Sequence, residues 1–245
     1  MAKRTDFNMH DLNGNTSRYA IYFCPSPSAP LYGQGSRWLG RDAATGADLD
    51  PDLPDHIQHE EWLRATESPR RYGFHATLKP PFRLAENATY EDLQAALHEL
   101  AKRHVCFCAP PLRIGTLGRF LALTLSASSE EFCHLATDCV REFDRYRLPA
   151  TEAELAQRLR DSLSLREREY VLRWGYPYVL DTWKFHMSLT GSMPPEALPP
   201  LKQYLRQRFA SVCGEALLVD SVCIFHESHP EAPFQLLDRV YLRSS

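Results

Sequence analysis

Apolar and polar residues alternate with two different periods along the chain, and these periods separate strands from helices. Residues 18–24 (RYAIYFC) are rich in aromatic and branched side chains and stop at Pro25, which predicts a strand. Apolar residues recur at helical spacing between Leu93 and Leu100, after Thr89, which can cap a helix. The strand criteria also predict strands at residues 72–78, 112–117, 120–125, 183–189, 216–225 and 234–242. The pattern therefore predicts a mixed protein of strands and helices.

Helix signals concentrate in the middle of the chain. Three pairs have the spacing of a capping box, in which two side chains satisfy free amides at a helix start: Ser128 with Glu131, Thr151 with Glu154, and Ser164 with Glu167. A further helix is predicted at residues 201–209. Residues 25–70 are predicted to be mostly irregular, with one short helical piece at 56–65, and loops of this length are often functional.

The two halves of the sequence repeat one order of elements. A strand with His-x-Thr or His-x-Ser is followed by a proline break, a helix and two strands, as in FHATLKPPF and FHMSLTGSMPP. We expect an α+β fold with two pseudo-symmetric lobes of antiparallel sheet, helices packed outside and a cleft between the lobes. The prediction is one bilobal domain over residues 1–245, with a first lobe at 18–126, a helical linker at 128–175 and a second lobe at 176–243.

The repeated motif carries the candidate chemistry. Residues i and i+2 of a strand project to the same face, so His75 lies beside Thr77 and His186 beside Ser188. Imidazole titrates near neutral pH, so one histidine can accept a proton while the other donates one. Hydroxyl groups can donate hydrogen bonds to phosphate oxygens. One such motif is typical of a buried structural histidine, whereas two matching copies favour catalysis.

Other side chains near the motifs are candidates for binding an anion. Each can instead have a purely structural or surface role. The cations on or near the motif strands are Lys79, Arg71 and Lys184, and Arg37 and Arg41 in the long loop could hold a second phosphate. The aromatic candidates for substrate contact are Tyr22, Tyr72 and Tyr178.

Charge and composition limit the classes of substrate and partner. The net charge of -3 provides no basic field for a long polyanion, so we expect a small phosphorylated substrate and no long nucleic acid. No stretch approaches the length of a membrane span, and seven cysteines suggest reduced thiols, so the predicted location is the cytoplasm without a membrane partner. His56 and His59 lack the order of a zinc motif, and no Gly-rich phosphate loop occurs, so no metal or other cofactor is expected.

These motifs resemble the 2H (two-histidine) phosphoesterase superfamily. The segments RYAIYF, SRWLGRDAATG, SPRRYGFHATLKPPFRL, TEAEL, RWGYPYV and FHMSLTG resemble its branch encoded beside carbon-phosphorus lyase genes, described as a phosphonate-metabolism protein. The resemblance covers residues 18 to about 243. It implies a bilobal fold, no obligatory metal and reaction at a cyclic phosphodiester, with His75, Thr77, His186 and Ser188 as the motif residues.

The leading hypothesis is a metal-independent cyclic phosphodiesterase that opens a cyclic phosphate on a small phosphorylated sugar in phosphonate catabolism. The alternative within this chemistry is a 2',3'-cyclic nucleotide or RNA-end phosphodiesterase or ligase. A phosphorylated-ligand binding module is the alternative of another class. The sequence does not predict the exact substrate, the choice of hydrolysis or ligation, the acid and base among the histidines, or the oligomeric state.

Overall fold

A computed structural model of the chain describes residues 16–54, 57–159 and 162–244. The strands are β1 Arg18–Phe23, β2 Ala76–Phe82, β3 Phe107–Ala109, β4 Leu112–Leu117, β5 Phe120–Leu125, β6 Met187–Ser188, β7 Leu217–Val219, β8 Ser221–Glu227 and β9 Gln235–Tyr241. The α-helices are α1 Pro30–Leu39, α2 His59–Tyr72, α3 Tyr90–Arg103, α4 Glu130–Phe143, α5 Glu152–Arg158, α6 Leu165–Trp174 and α7 Leu198–Arg208. In this part of the chain, no helix has the length and apolar character needed to cross a bilayer.

Seven strands form one sheet in the order β4-β5-β6-β2-β1-β8-β9, and β3 pairs with β7 in a separate two-stranded sheet. Every pair of neighbouring strands is antiparallel. Together with the helices this confirms the predicted α+β class. The predicted order of a motif strand, a helix and two closing strands also occurs in both halves, with one additional short strand after each helix: β2-α3-β3-β4-β5 and β6-α7-β7-β8-β9.

The sheet groups these strands differently from the division by sequence. The β4-β5 hairpin pairs with β6 of the second motif, whereas β8 and β9 lie beside β1, next to β2 of the first motif. In the sheet, β6 thus pairs directly with the hairpin of the first half, whereas β2 reaches the hairpin of the second half through β1. The division into lobes at 18–126 and 176–243 stays a prediction. In the described sheet, the pair Ala76 and Met187 joins the two groups.

Two segments differ from the sequence prediction near the first motif. Residues 25–70 contain α1 and a long α2, and α2 extends to Tyr72, so the predicted strand start at residue 72 is wrong. Strand β2 continues through Pro80 and Pro81 because its pairing with β1 is irregular, and its opposite edge pairs with β6 only at Ala76. Proline lacks an amide hydrogen and is tolerated where no ladder bond is required.

Two of the three predicted capping boxes are confirmed, and the third cap lies one residue later than predicted. Thr151 with Glu154 and Ser164 with Glu167 form capping boxes, as predicted. At α4 the capping residue is Ser129, whose hydroxyl accepts from the amide of Phe132, and the predicted Ser128 is wrong by one position. The apolar faces of α3 and α4 are buried in the main core, which lies against the sheet.

Candidate active site

The four motif residues meet where the two groups of strands join. Ala76 of β2 pairs with Met187 of β6 in antiparallel register, and both side chains are buried. One further step along this register places His75 opposite Ser188 and Thr77 opposite His186. Because alternate residues share a face, all four side chains project to the face opposite Ala76 and Met187. The two histidines thus occupy diagonal positions, each facing the hydroxyl residue of the other motif.

A cleft of about 350 Å³ covers this junction. Its lining includes His75, Thr77 and Ser188, and the ring of Phe120, which also lines it, lies 5.8 Å from the ring of His186. Other hydroxyl groups in the lining belong to Tyr22, Ser68, Tyr72, Tyr176, Thr190 and Ser192. Among the described residues, the lining contains no Lys, Arg, Asp or Glu. The lining therefore combines hydroxyl groups with a mainly apolar surface, and among its described residues His75 is the imidazole base.

Each imidazole is held by a hydrogen bond to the carbonyl oxygen two residues before it. Nδ1 of His75 lies 2.9 Å from the carbonyl oxygen of Gly73, and Nδ1 of His186 lies 2.9 Å from that of Lys184. A carbonyl oxygen only accepts, so Nδ1 carries the hydrogen in each ring. The neutral rings consequently present an unprotonated Nε2, and Nε2 of His75 lies 3.2 Å from the hydroxyl oxygen of Thr77. Each histidine can act as a base when neutral and as an acid when protonated.

Burial sets the charge state of the histidines. Packing around the ring lowers the pKa of His75 to about 4; the hydrogen bond to Gly73 opposes this change, and the charge of His186 adds to it. Burial also lowers the pKa of His186, against the hydrogen bond to Lys184. Both rings are therefore neutral at pH 7 in the free protein, and a bound anion would favour protonation of either ring.

The short strand β6 is held by bonds from outside the sheet. Trp38 donates from Nε1 to the carbonyl of Leu189 at 2.8 Å, and the amide of Gly191 donates to the carbonyl of Ala65 at 2.7 Å. On the other side, Trp183 donates from Nε1 to the carbonyl of Thr77 at 2.8 Å. These bonds connect the second motif to α1, α2 and β2, and so fix the two motifs relative to each other.

The predicted tyrosines have different positions. Tyr22 is buried, and its ring stacks on His75 with centroids 3.6 Å apart. Tyr72 lines the cleft and stacks on Phe234, at 5.1 Å between centroids. Tyr178 is exposed and absent from the lining, whereas its neighbour Tyr176 lines the cleft. The cleft thus includes two of the three predicted tyrosines, and Tyr22 contacts a histidine directly.

All five predicted cations are absent from the lining of the cleft. Lys79 is buried because β2 departs from strict alternation after Leu78, and its ammonium donates to the carbonyl of Val140 at 3.2 Å and to Asp144 at 3.3 Å. Arg41 is also buried and donates to the carbonyl of Phe234 at 2.7 Å, so it fixes backbone instead of binding a ligand in the cleft.

The remaining three cations are also absent from the lining. Arg71 forms an ion pair with the buried carboxylate of Glu227. Arg37 is exposed on α1, and Lys184 is exposed, with its carbonyl holding His186. None of the five predicted cations lines this cleft, and contact with a phosphate stays a prediction for them. The hydroxyl groups of Thr190 and Ser192 in the cleft had no signal in the motif pattern, although both follow Ser188 closely.

The structure provides no candidate for a metal centre in its described part. No group of three or more His, Cys, Asp or Glu residues there is arranged to hold a metal ion. His59 lies at the start of α2, its ring 5.2 Å from that of Trp62, and His56 lies outside the described residues. Independence from metal stays a prediction for the reaction itself.

The chain matches a known protein family over a region that contains three of the four motif residues. The family model described as "Protein of unknown function (DUF1045)" matches residues 77–235, which include Thr77, His186 and Ser188. The chain belongs to the DUF1045 family. His75 lies two residues before the matched range.

Two curated relatives of this DUF1045 chain share one name, "Ribose 1,5-bisphosphate phosphokinase PhnN". The protein from Janthinobacterium sp. (strain Marseille) is 36% identical over 228 residues, which are 91% of this chain and 50% of the relative. The protein from Laribacter hongkongensis (strain HLHK9) is 33% identical over 225 residues, 92% of this chain and 52% of the relative. The DUF1045 chain spans about half the length of the curated relatives it matches.

Solved structures also resemble the DUF1045 fold at a distance. LigT of E. coli, complexed with ATP, is 13% identical with a TM-score of 0.42, covering 94% of this chain and 99% of that one. TT0787 of Thermus thermophilus is 16% identical with a TM-score of 0.45, covering 93% and 99%.

Proposed function

We propose that this chain is a phosphoesterase that hydrolyses a cyclic phosphodiester on a small phosphorylated sugar, with His75 and His186 as the acid and base. The observation that carries the proposal is the matched pair of histidines at diagonal positions of one strand junction. Each ring has its Nδ1 bound to the carbonyl two residues earlier, which leaves both Nε2 atoms for proton transfer. A binding site has no need for two such rings.

The chemistry requires one proton to be removed and one to be supplied. A water molecule attacks phosphorus, and one neutral Nε2 takes its proton as the new P–O bond forms. The P–O bond to one of the two sugar oxygens of the cyclic phosphate breaks, and the other histidine, protonated at Nε2, gives its proton to that oxygen. Once the substrate is bound, the Thr77 hydroxyl turns from Nε2 of His75 to the phosphate, and Thr77 and Ser188 donate hydrogen bonds to the non-bridging oxygens as their negative charge increases. The products are a phosphate monoester and a free hydroxyl, with no net change of protons at the two rings.

The burial of both rings fits this cycle. In the free protein both imidazoles are neutral because burial lowers their pKa values. The cleft has no fixed cation among the described residues of its lining, so a phosphate anion entering it favours protonation of one imidazole. Substrate binding thereby produces the acid, while the second ring stays neutral as the base.

The name of the curated relatives supports the choice of sugar. They are named for ribose 1,5-bisphosphate. Hydrolysis of a 1,2-cyclic phosphate on ribose 5-phosphate, with cleavage at O2, yields ribose 1,5-bisphosphate. The proposed reaction therefore supplies the compound in that name, which is consistent with a role in phosphonate catabolism. The kinase activity in that name is not extended to this chain, because its sequence has no Gly-rich phosphate loop.

Phosphorus NMR tests the proposed reaction directly. The protein is mixed with ribose 5-phosphate 1,2-cyclic phosphate and, separately, with nucleoside 2',3'-cyclic phosphates, in the presence of a chelator. We expect the cyclic resonance of the ribose compound to be replaced by that of a monoester. Turnover confined to the nucleotides would move the assignment to the alternative diesterase. Inertness toward every compound, with binding retained, would favour a phosphorylated-ligand binding module.

A further inference from the structure

A second pocket lies directly beside the cleft with the histidines. It has a volume of about 240 Å³ and shares Tyr72, Pro80, Pro81 and Tyr176 with that cleft. A small ligand can therefore extend from one pocket into the other past the two tyrosine rings. Pockets of this size suit a single chemical group more than a whole drug-sized molecule.

The second pocket has the charge that the first one lacks. Its basic lining residues are Arg18, Lys79, Arg83, Arg147 and Arg158, and Glu154 is the one carboxylate among the described lining residues. Several of these cations are already paired: Arg83 binds Glu154, and Arg18 binds Glu227. Lys79 and Arg147 share a single carboxylate, that of Asp144. Positive charge therefore exceeds negative charge around this pocket.

Two guanidinium groups converge at Gly175, which ends α6 in the left-handed conformation at φ 75°. A Cβ placed on Gly175 would lie 3.3 Å from Nη1 of Arg147 and 3.4 Å from Nη1 of Arg158. Arg158 donates to the carbonyl of Gly175 at 2.6 Å and, among the described residues, forms no ion pair. Arg147 is paired with Asp144, so among the described residues of this pocket Arg158 is the guanidinium whose charge is left for an anion.

An indole donor lies in the wall of the same pocket. Trp174 lines the same pocket, and its Nε1 is buried with no hydrogen-bond partner in the described part of the chain. A buried donor without a partner costs free energy, so such donors are rare and typically meet a ligand or a water molecule. The indole nitrogen is donor only, which matches an anionic oxygen and excludes a cation.

We infer that this second pocket binds a phosphate monoester through Arg158, Arg147 and the Nε1 of Trp174. The monoester is the second phosphate of the sugar, attached at a different position from the cyclic phosphate. This inference rests on the proposed function. A cyclic diester carries one negative charge and suits a cleft with two titratable rings. A monoester approaches two negative charges at pH 7 and suits the pocket with excess cations and a bidentate guanidinium. The residues that bind a second phosphate thus lie around Gly175, and the predicted Arg37 and Arg41 are not among them.

Another basic pocket serves as the comparison site. It is lined by Arg113, Lys184, Lys202 and Arg206 and shares no residue with the cleft that contains His75. Lys202 lies on α7 and donates to the hydroxyl of Thr116 at 3.0 Å. Lys202→Gln therefore removes the same charge as Arg158→Gln at a place that the proposed ligand does not reach.

Binding of ribose 5-phosphate tests the pocket without any catalysis. Titration calorimetry with the full chain compares ribose 5-phosphate with ribose. We expect binding of the phosphate only, weakened about 10-fold to 100-fold by Arg158→Gln, because a hydrogen bond to a charged group is lost. Trp174→Phe keeps the ring and removes the donor, and we expect a loss of about 10-fold. Lys202→Gln should bind as the unchanged protein does. Equal affinity in all four proteins would overturn the inference.

Kinetics separate this inference from the proposed function. The substrates are ribose 5-phosphate 1,2-cyclic phosphate and ribose 1,2-cyclic phosphate, which lacks the monoester. We expect Arg158→Gln and Trp174→Phe to lower kcat/KM for the first about 10-fold more than for the second, chiefly through KM. Equal losses on both would refute the second-phosphate site while leaving the phosphoesterase intact. Inertness of the unchanged protein on both, with ribose 5-phosphate still bound through Arg158, would refute the phosphoesterase and keep the site.

Discussion

The ring of Tyr22 stacks on the imidazole of His75, with centroids 3.6 Å apart and ring planes 19° from parallel. Tyr22 belongs to β1, is 1% exposed, and pairs across the sheet with Thr77, so the same strand supports both residues of the first motif. Together with the bond from Nδ1 to Gly73, this stack restricts rotation of the imidazole. The histidine is held in place before a substrate arrives.

Loss of the stack should misplace the imidazole. We expect Tyr22→Leu to lower kcat by on the order of 10-fold to 100-fold, since small errors in the position of a catalytic group are costly. Tyr22→Phe keeps the ring and should keep most of the activity. The pH profile of kcat should shift only in the Leu variant, because the environment of His75 changes there. Equal activity and equal profiles in both variants would show that the stack has no part in positioning.

Removal of either histidine should nearly abolish turnover. We expect His75→Ala and His186→Ala each to lower kcat by on the order of 10² to 10⁴, because each removes a proton-transfer partner. The double variant should lose little more than the worse single variant, since the two act in one step. His98→Ala, at an exposed position of α3, is the matched control. Near-full activity in either single variant would contradict the paired mechanism.

The hydroxyl groups should have smaller effects than the rings. We expect Thr77→Val and Ser188→Ala to lower kcat by on the order of 10 to 10³, because each removes one donor to the transition state. Thr77→Ser and Ser188→Thr keep a hydroxyl and should retain activity. The measurement is kcat at saturating substrate. If the Ser and Thr exchanges are as damaging as the deletions, shape rather than hydrogen bonding is the cause.

The lowered pKa of His75 makes stability depend on pH. The ring titrates near 6.5 when unfolded and at about 4 when folded, so the unfolded chain binds more protons between these values. The free energy of unfolding should therefore fall as pH falls from 6.5 toward 4, by about 3 kcal/mol at most from this residue. Urea denaturation at pH 7 and pH 4.5 should show a smaller difference for His75→Ala than for the unchanged protein. An identical difference would contradict the assigned shift.

The buried carboxylate of Glu227 should matter for stability. It is fully buried and binds both Arg18 and Arg71, which are about one third exposed. We expect Glu227→Gln to lower the free energy of unfolding by about 3 kcal/mol, because two partly buried cations lose their partner. Glu99→Gln breaks the pair with Lys102, in which both side chains are exposed, and should cost much less because solvent screens such a pair. Equal losses in the two variants would show that burial of the pair has no influence.

The sequence predicted the quartet and missed the surrounding contacts for a physical reason. His75, Thr77, His186 and Ser188 are linked by alternation along single strands, which is a local property. The ammonium of Lys79 instead meets Asp144, 65 positions away, and Arg41 meets the carbonyl of Phe234, 193 positions away. Such partners depend on tertiary packing, so spacing along the chain could not separate a ligand contact from a structural one.

The sequence around helix α1 contains start and stop residues that are typical of a helix. Gly33 and Gly35 disfavour a helix, and residues 25–70 were therefore predicted to be mostly irregular. Pro30 at the first position and Gly40 in the left-handed conformation after the last are nevertheless common start and stop residues. A Cβ on Gly35 would lie 2.4 Å from the ring of Phe74, so the glycine permits close packing against the first motif. The helix thus forms through packing despite its weak intrinsic propensity.

The pairing of β1 with both β2 and β8 determines when the chain can fold during synthesis. Residues 18–82 leave the ribosome early, yet one edge of β1 has no partner until residues 221–227 have been made. Until then the first motif depends on an open sheet edge, which is prone to pairing with other chains. Contacts between segments this distant in sequence also form slowly. A truncated chain that ends before β8 should therefore aggregate instead of forming a stable half-molecule.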